Sequence, residues 1–213
     1  YHGVLQADAF AGYDRLFSPE REGGPLTEAA CWAHARRKIH DVYISTHTAT
    51  AEEALKRIGE LYAIEEEIRG LTTEERLAAR QSQSKPLLAS LHEWLVEKNE
   101  TLSKKSRLGE AFAYVLNQWD ALCYYCEDGL AEPDNNAAER ALRAVCLGKK
   151  NFIFFGSDHG GERGALLYGL IGTCRLNGID PEAYLRHILS VLPEWPSNKA
   201  AELLPWNVVL TDK

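Results

Sequence analysis

The decisive stretch of the sequence runs Pro133-Asp134-Asn135-Asn136-Ala137-Ala138-Glu139-Arg140-Ala141-Leu142-Arg143. It begins with helix-start residues and continues as a helix. One face of that helix carries an amide, a carboxylate and two guanidinium groups, from Asn136, Glu139, Arg140 and Arg143. Such a face can hold a divalent metal ion on the carboxylate and a phosphate backbone on the guanidinium groups. The alternative is a capping box between Asn136 and Glu139, with the two arginines as ordinary solvated charges.

A second carboxylate, Asp8, ends a short predicted strand, Gly3–Asp8, near the N-terminus. A carboxylate at a strand end and another in the first turn of a later helix suit a site that holds Mg²⁺, or Mn²⁺ in its place, through oxygen ligands. Two such ions clamp the attacking and leaving oxygens of a phosphodiester during in-line displacement. Sites of this kind usually need a third carboxylate. Asp14 and Asp134 are the nearby candidates, and both have the pattern of turn or cap acids.

The composition is that of a globular protein without a strongly basic character. The chain has 213 residues, a formal net charge of −7 and 45% hydrophobic residues. No apolar run approaches the roughly 18 residues of a membrane span, and the N-terminus lacks the pattern of a signal peptide. Because its five cysteines are not spaced as a disulfide framework, we expect a cytoplasmic protein. The chain contains no Met and begins with Tyr1, so we expect a fragment.

The pattern of charge and hydrophobicity divides the chain into four parts: 1–48, 49–127, 128–192 and 193–213. Acidic residues concentrate between Glu52 and Glu75, with basic clusters on either side. The second part has a helical pattern throughout and is predicted to be an all-helical insertion. A helix is predicted over Thr27–His47 with Thr27 as its cap, and further helices over 162–177 and 181–192. Phe152–Phe155 is predicted as a strand or an extended loop, and the tail as irregular.

Four segments, taken together and in order, resemble the insertion-sequence 66 family of bacterial transposases. They are Gly3-Val4-Leu5-Gln6-Ala7-Asp8-Ala9-Phe10-Ala11-Gly12-Tyr13, Cys31-Trp32-Ala33-His34-Ala35-Arg36-Arg37-Lys38, Asp134 to Arg143 as quoted above, and Gly148-Lys149-Lys150-Asn151-Phe152. The resemblance covers essentially the whole chain, including the helical middle.

The resemblance implies an α/β fold: a partial ribonuclease-H-like core, mostly helical in this fragment and interrupted by the helical insertion. It implies an Asp-Asp-Glu triad that binds Mg²⁺, in which Asp8 is the second Asp and Glu139 the Glu. The first Asp would precede Tyr1, so we expect the fragment itself to be inactive. The implied activity is metal-dependent DNA cleavage and strand transfer by a homo-oligomer bound to transposon ends and target DNA, in the cytoplasm at the nucleoid.

The same resemblance places Cys31, His34 and Asn136 in the vicinity of the active site. Cys31 and His34 match a Cys-x-x-His motif of the family. Three interpretations of this pair stay open: buried helix residues at Cys31 and Trp32, a His34 that approaches a phosphate or orients a carboxylate, and a zinc site completed by Cys123 and Cys126.

Basic residues on both flanks of the insertion are candidates for contacts with DNA phosphates: Arg36, Arg37, Arg140, Arg143, Lys149 and Lys150. Their alternative role is that of solvated charges or ion pairs with the acidic insertion. The loop Gly156–Gly161 is a weak match to a phosphate loop, and a turn before the next helix is the other interpretation. The competing hypothesis for the whole chain is a non-catalytic transposase remnant or helical module that binds DNA or protein.

Overall fold

The computed structural model describes residues 1–210, and within them the chain is mostly helical, as predicted. The chain divides into two compact units, Tyr1–Ala137 and Ala138–Lys213. The first unit therefore contains both the predicted first part, 1–48, and the predicted insertion, 49–127. The four-part division stays a prediction about the organisation of the family.

The N-terminal segment forms a small parallel sheet. Strand β1, Val4–Gln6, pairs with β2, Thr27–Ala29, so that Val4 lies opposite Thr27 and Gln6 opposite Ala29. Between them lies a short helix, α1, Asp14–Phe17. The prediction that Thr27 caps a helix over Thr27–His47 is wrong: that residue begins a strand, because the ladder to β1 takes its backbone groups. Helix α2 starts later and spans Trp32–Thr46.

The region predicted as an all-helical insertion is helical. It contains α3 (Ala49–Glu67), α4 (Thr73–Ala79), one turn of π-helix (Arg80–Ser84), α5 (Lys85–Thr101), α6 (Arg107–Asn117) and α7 (Trp119–Cys123). Thr72 caps α4: its hydroxyl accepts from the Glu75 amide, and the Glu75 carboxylate accepts from the Thr72 amide. Pro86 sits in the first turn of α5, where a missing N–H costs little.

The hydrophobic core of the first unit lies among α2, α3, α5 and α6. Its fully buried side chains include Ile39, Ile58, Leu95, Phe112 and Val115. These positions recur every three or four residues along their helices, so each helix turns one apolar stripe inward. Burying each of these side chains contributes about 1.5–3 kcal/mol. The insertion therefore shares one core with the helix that carries Arg36 and Arg37.

The turn between β2 and α2 is held against a much later part of the chain. The Ala30 amide donates to the Ala121 carbonyl at 2.9 Å, and the Trp32 amide to the Pro133 carbonyl at 2.9 Å. The Trp32 indole, 1% exposed, donates through Nε1 to the Leu122 carbonyl at 2.9 Å. These three bonds fix the start of α2 to the end of the insertion and to the segment that leads into the Glu139 helix.

A buried arginine joins three parts of the insertion. Arg80, in the π-helical turn, is fully buried and pairs with Glu65 on α3 through two bonds, at 2.8 and 2.6 Å. Its Nη1 donates to the carbonyls of Tyr125, Asp128 and Ala131 at 2.7–3.2 Å. The guanidinium thus binds both the 3₁₀ turn that follows α7, Tyr124–Cys126, and the loop after that turn.

The second unit contains α8 (Asn136–Phe152, beginning just before the unit boundary), α9 (Asp158–Leu176) and α10 (Pro181–Val191). The tail forms two short 3₁₀ segments, Leu192–Glu194 and Ser197–Leu203. The Tyr184 hydroxyl donates to the Leu203 carbonyl at 2.9 Å and ties the tail to α10. Among the described residues, no helix combines the length and apolar character that a membrane crossing requires.

The aromatic run Phe152–Phe155 begins as the last residue of a helix and continues as a loop, so the predicted strand is not formed and the predicted loop covers only residues 153–155. Helix α8 ends at Phe152, and the next residue, Ile153, has a left-handed backbone with φ of 65°. The Phe152 and Phe155 rings then stack with centroids 4.7 Å apart. Ser157 accepts from the Gly160 amide at 3.1 Å and caps α9, so the loop Gly156–Gly161 is a turn into a helix. The helix predicted from 162 begins four residues earlier, at Asp158.

Two neighbouring glycines of α9 are expected to respond oppositely to alanine. A Cβ at Gly160 would lie 2.1 Å from the Phe155 carbonyl oxygen, whereas a Cβ at Gly161 meets nothing within 4 Å. Gly160→Ala should therefore lower the free energy of unfolding by about 1–3 kcal/mol. Gly161→Ala should raise it by up to about 1 kcal/mol, because alanine is the better helix former. Urea unfolding followed by circular dichroism measures both, and equal effects of the two variants would contradict the packing described here.

Candidate active site and nucleic-acid interface

Asp8 follows the first strand by two residues, whereas the sequence predicts a strand that reaches Asp8 itself. The Ala7 amide donates to the Ala29 carbonyl at 3.1 Å and extends the pairing by one residue beyond β1. The Asp8 carbonyl then accepts from the Phe10 amide at 2.8 Å, which turns the chain away from the sheet. The Asp8 side chain is half-buried at this turn. A parallel sheet presents such a strand-end carboxylate at one edge, where ligands of α/β proteins bind.

Two further side chains share the surroundings of Asp8. Tyr114 of α6 is half-buried. Burial is the main cause that raises the pKa of its hydroxyl, and the negative charges of Cys31, Asp8 and Glu28 raise it further. Glu28 stands on β2 opposite Leu5. Burial, and then the charge of Asp14, raises the pKa of the Glu28 carboxyl. Sequence analysis missed Glu28, because it placed this residue in a helix.

Glu139 lies in the first turn of α8, where the sequence predicts it, and its side chain is half-buried. Four basic residues follow on the same helix, all of them exposed: Arg140, Arg143, Lys149 and Lys150. Asp8 belongs to the first unit and Glu139 to the second. Within residues 1–210, no three His, Cys, Asp and Glu side chains form a group that could hold a metal ion.

An aspartate holds the segment that leads into the Glu139 helix. Asn136 is the first residue of α8, and its amide donates to the Asp134 carboxylate at 3.1 Å. Asn136 is therefore inside the helix and not at the cap position that the alternative interpretation assigned to it. The second Asp134 oxygen accepts from the Tyr62 hydroxyl at 3.2 Å, which connects this turn to α3 of the insertion. Asp134 is thus a turn acid, one of the two roles that its sequence pattern predicts.

Cys31 and His34 stand at the start of α2. Cys31 precedes the helix with an extended backbone and is 2% exposed, and burial raises the pKa of its thiol. The thiol therefore stays neutral at physiological pH and packs beside the buried Trp32, as a structural residue does. His34 lies in the first turn of α2 and is half-buried. The role of the pair in the active site stays a prediction.

The zinc site proposed for Cys31, His34, Cys123 and Cys126 is not formed, because no such metal-binding group exists in the part of the chain that the structure describes. Burial raises the pKa of Cys123 to about 12 and that of Cys126 to about 11. Both thiols are protonated at neutral pH and pack against the core of the helical insertion. The Cys-x-x-Cys spacing is explained by packing: Cys123 ends α7, Cys126 lies in the turn that follows, and both contact the core.

Arg36 and Arg37 line a pocket of about 440 Å³ in the first unit. Its walls come from three places: α2 contributes the two arginines and His40, α3 contributes Gly59 and Tyr62, and the segment before the Glu139 helix contributes Asp134 and Asn136. Both arginines are exposed, and within residues 1–210 neither of them forms an ion pair. Burial, and then the Asp134 carboxylate, raises the pKa of the Tyr62 hydroxyl, so this hydroxyl remains a donor. Sequence analysis missed Gly59 and Tyr62, because their spacing is that of an ordinary helix.

Comparison with known proteins agrees with the motifs of this site. The family model described as "Transposase IS66 family" matches residues 1–163, and the one described as "IS66 C-terminal element" matches residues 169–206. The class defined by this site is therefore that of transposases. The chain belongs to the IS66 family of transposases. The C-terminal element corresponds to the second part of α9, α10 and the tail as far as residue 206, and the larger domain contains both Asp8 and Glu139.

Three similar proteins come from Sinorhizobium fredii, and their printed names are uncharacterized proteins y4hP, y4jD and y4qI. They are 41%, 38% and 35% identical to the chain, over 97% of its length. The chain spans about 40% of the length of these relatives: 40%, 41% and 39% respectively. No solved structure gives a significant match to the chain.

Proposed function

We propose that the chain is the catalytic region of a DNA transposase, which cleaves phosphodiester bonds at transposon ends and joins the ends to target DNA. The observation that carries this proposal is the placement of Asp8 two residues after β1 and of Glu139 in the first turn of α8, in a chain of the IS66 transposase family. The proposal includes a ribonuclease-H-like core, which the parallel pairing of β1 and β2 supports.

The donor set suits Mg²⁺. Carboxylate oxygens are the ligands that this ion prefers, and it is commonly held by one or two carboxylates together with water and substrate phosphates. Asp8 and Glu139 would supply those oxygens. The half-buried state of both side chains supports the assignment, because partial burial strengthens the attraction between a carboxylate and a cation. When bound, the metal ion would activate the attacking hydroxyl and neutralise charge on the leaving oxygen.

The remaining steps belong to the protein's own side chains. Arg140, Arg143, Lys149 and Lys150 project from the helix that carries Glu139, and Arg36 and Arg37 from α2. These cations would hold the phosphates of the DNA backbone and so position the scissile bond without reading its sequence. Tyr62 and Asp134 fix the start of α8 through their hydrogen bonds.

Manganese binding by the purified chain tests the proposed ligands. Wild-type chain should bind Mn²⁺, measured from the loss of the free-ion electron paramagnetic resonance signal. Asp8→Asn and Glu139→Gln should each weaken binding at least about 10-fold, since even outer-shell partners of metal ligands are worth that much. The matched control is Glu162→Gln, an exposed carboxylate on α9 that pairs with His159. Binding that survives both substitutions, or falls equally in the control, would overturn the proposal.

A further inference from the structure

The helical insertion contributes one wall of the pocket that contains Arg36 and Arg37. The opposite wall is α2, and the floor is the Asp134 segment. A volume of about 440 Å³ is far larger than a single ion needs and lies within the range of small-ligand sites, about 300–1,000 Å³. The pocket can therefore accept a group of several atoms that enters from solvent.

The charge of the lining favours an anion. Two guanidinium groups face one carboxylate, and His40 adds an imidazole that can donate a hydrogen bond. The Asp134 carboxylate is already engaged by the Tyr62 hydroxyl and the Asn136 amide. The arginines make no ion pair within residues 1–210. Guanidinium groups that form no ion pair within the protein are common partners of phosphate, to which each can donate two parallel hydrogen bonds.

Gly59 of α3 borders the pocket. A Cβ at this position would meet nothing within 4 Å, so a larger side chain could extend from it without a clash. This position therefore offers a way to fill the pocket while every charge of its lining is kept.

We propose that this pocket binds one nucleotide of a single DNA strand, with its phosphate between Arg36 and Arg37 and its sugar and base against Gly59 and the ring of Tyr62. Aromatic rings beside a basic groove are the usual means of holding single-stranded DNA. The helical insertion is then a DNA-binding wall as well as a spacer between the two catalytic segments. This inference rests on the proposed function, because it assumes that DNA is the substrate.

Filling the pocket tests the proposal without removing any charge. Gly59→Leu should lower the affinity for a labelled single-stranded oligonucleotide at least about 10-fold, measured by fluorescence anisotropy in EDTA. The matched control is Ala49→Leu, which adds the same side chain to an exposed position on α3, about 15 Å away along the helix. Its affinity should stay within about 2-fold of wild type. Thermal unfolding confirms that both variants are folded.

The arginines supply a second measurement. Arg36→Gln and Arg37→Gln should each reduce the slope of log affinity against log salt concentration, and the variant with both substitutions should reduce it by about 0.7, the value for one phosphate contact on a single strand. Arg69→Gln serves as the control, because this exposed arginine already pairs with Glu66. Strands that carry iodouracil should cross-link to Tyr62 on irradiation.

Unchanged affinity in Gly59→Leu, an unchanged salt slope in both arginine variants, or cross-links confined to residues 138–210 would each overturn the nucleotide pocket. These binding measurements are made without a metal ion. A failure of the pocket therefore leaves the Mn²⁺ result for Asp8 and Glu139 standing, and a failure of the metal ligands leaves the pocket standing.

Discussion

Arg80→Ala should lower the free energy of unfolding by about 3–5 kcal/mol, the typical cost of removing one partner of a buried ion pair. The substitution leaves the Glu65 carboxylate, 10% exposed, without its cation. It also removes the donor shared by the carbonyls of Tyr125, Asp128 and Ala131. Since domains of this size are stable by only about 5–15 kcal/mol, much of the stability would be lost. Urea unfolding at neutral pH provides the measurement.

A double variant distinguishes the contribution of the ion pair to the free energy of unfolding from that of side-chain packing. Glu65→Leu combined with Arg80→Met removes both charges and keeps apolar volume in the site, so it should be more stable than Arg80→Ala alone. Arg80→Lys should recover only part of the loss, because one ammonium group cannot reach a bidentate carboxylate and three carbonyls together. The coupling energy from the corresponding single and double variants should exceed about 1 kcal/mol.

The control is Arg69→Ala, whose ion pair with Glu66 is open to water, with side chains 74% and 71% exposed. Exposed pairs contribute at most about 1 kcal/mol, so this variant should unfold near the wild-type midpoint. If Arg69→Ala and Arg80→Ala prove equally destabilising, the buried arginine does not organise the loop after α7.

Glu139→Gln should reduce transposition by at least about 10³-fold. Loss of a metal ligand removes several kcal/mol of transition-state stabilisation, and each 1.36 kcal/mol corresponds to a factor of ten in rate. Asp8→Asn should have an effect of the same size. The measurement is the frequency with which a marked element moves in cells, with the variant chain expressed within its complete open reading frame. Glutamine preserves the shape of glutamate, so the fold of α8 should be unchanged.

Two observations distinguish catalysis from folding in that experiment. The variant should accumulate to the wild-type level and should keep its affinity for DNA, because the basic side chains of α8 are untouched. Glu162→Gln on α9 is again the matched control and should transpose at the wild-type frequency. Transposition that persists in both Asp8→Asn and Glu139→Gln would favour the competing hypothesis, in which the chain binds DNA or protein without catalysis.

The sequence predicted elements well where one strong local signal was present. The period of the apolar residues predicted a helical insertion, and α3 and α6 lie within it. The start of α2 was misjudged, because Thr27 is a common cap residue. Its actual role depends on pairing with Val4, more than twenty residues earlier. No local pattern reports such a partner.

The residues of the candidate site likewise differ in how far the sequence alone reveals them. Asp8 and Glu139 stand out, because each occupies a recognisable position at the end or the start of an element. Gly59, Tyr62 and His40 do not stand out, since each fits an ordinary helical pattern and is placed beside Arg36 only by the packing of α3 on α2. Arg80 likewise looks like a solvated charge in the sequence. Its burial follows from the π-helical turn, which turns it inward.

The hydrogen bonds that fix the start of α2 have a consequence for synthesis on the ribosome. Trp32 cannot reach the Leu122 and Pro133 carbonyls until about 100 further residues have emerged. At translation rates of about 5–20 residues per second, this interval lasts about 5–20 s. During it a tryptophan and the apolar stripe of α2 stay exposed on the nascent chain. The early part of this protein is therefore a candidate client for chaperones, and ribosome profiling with chaperone capture should show engagement that ends soon after residue 137 leaves the exit tunnel.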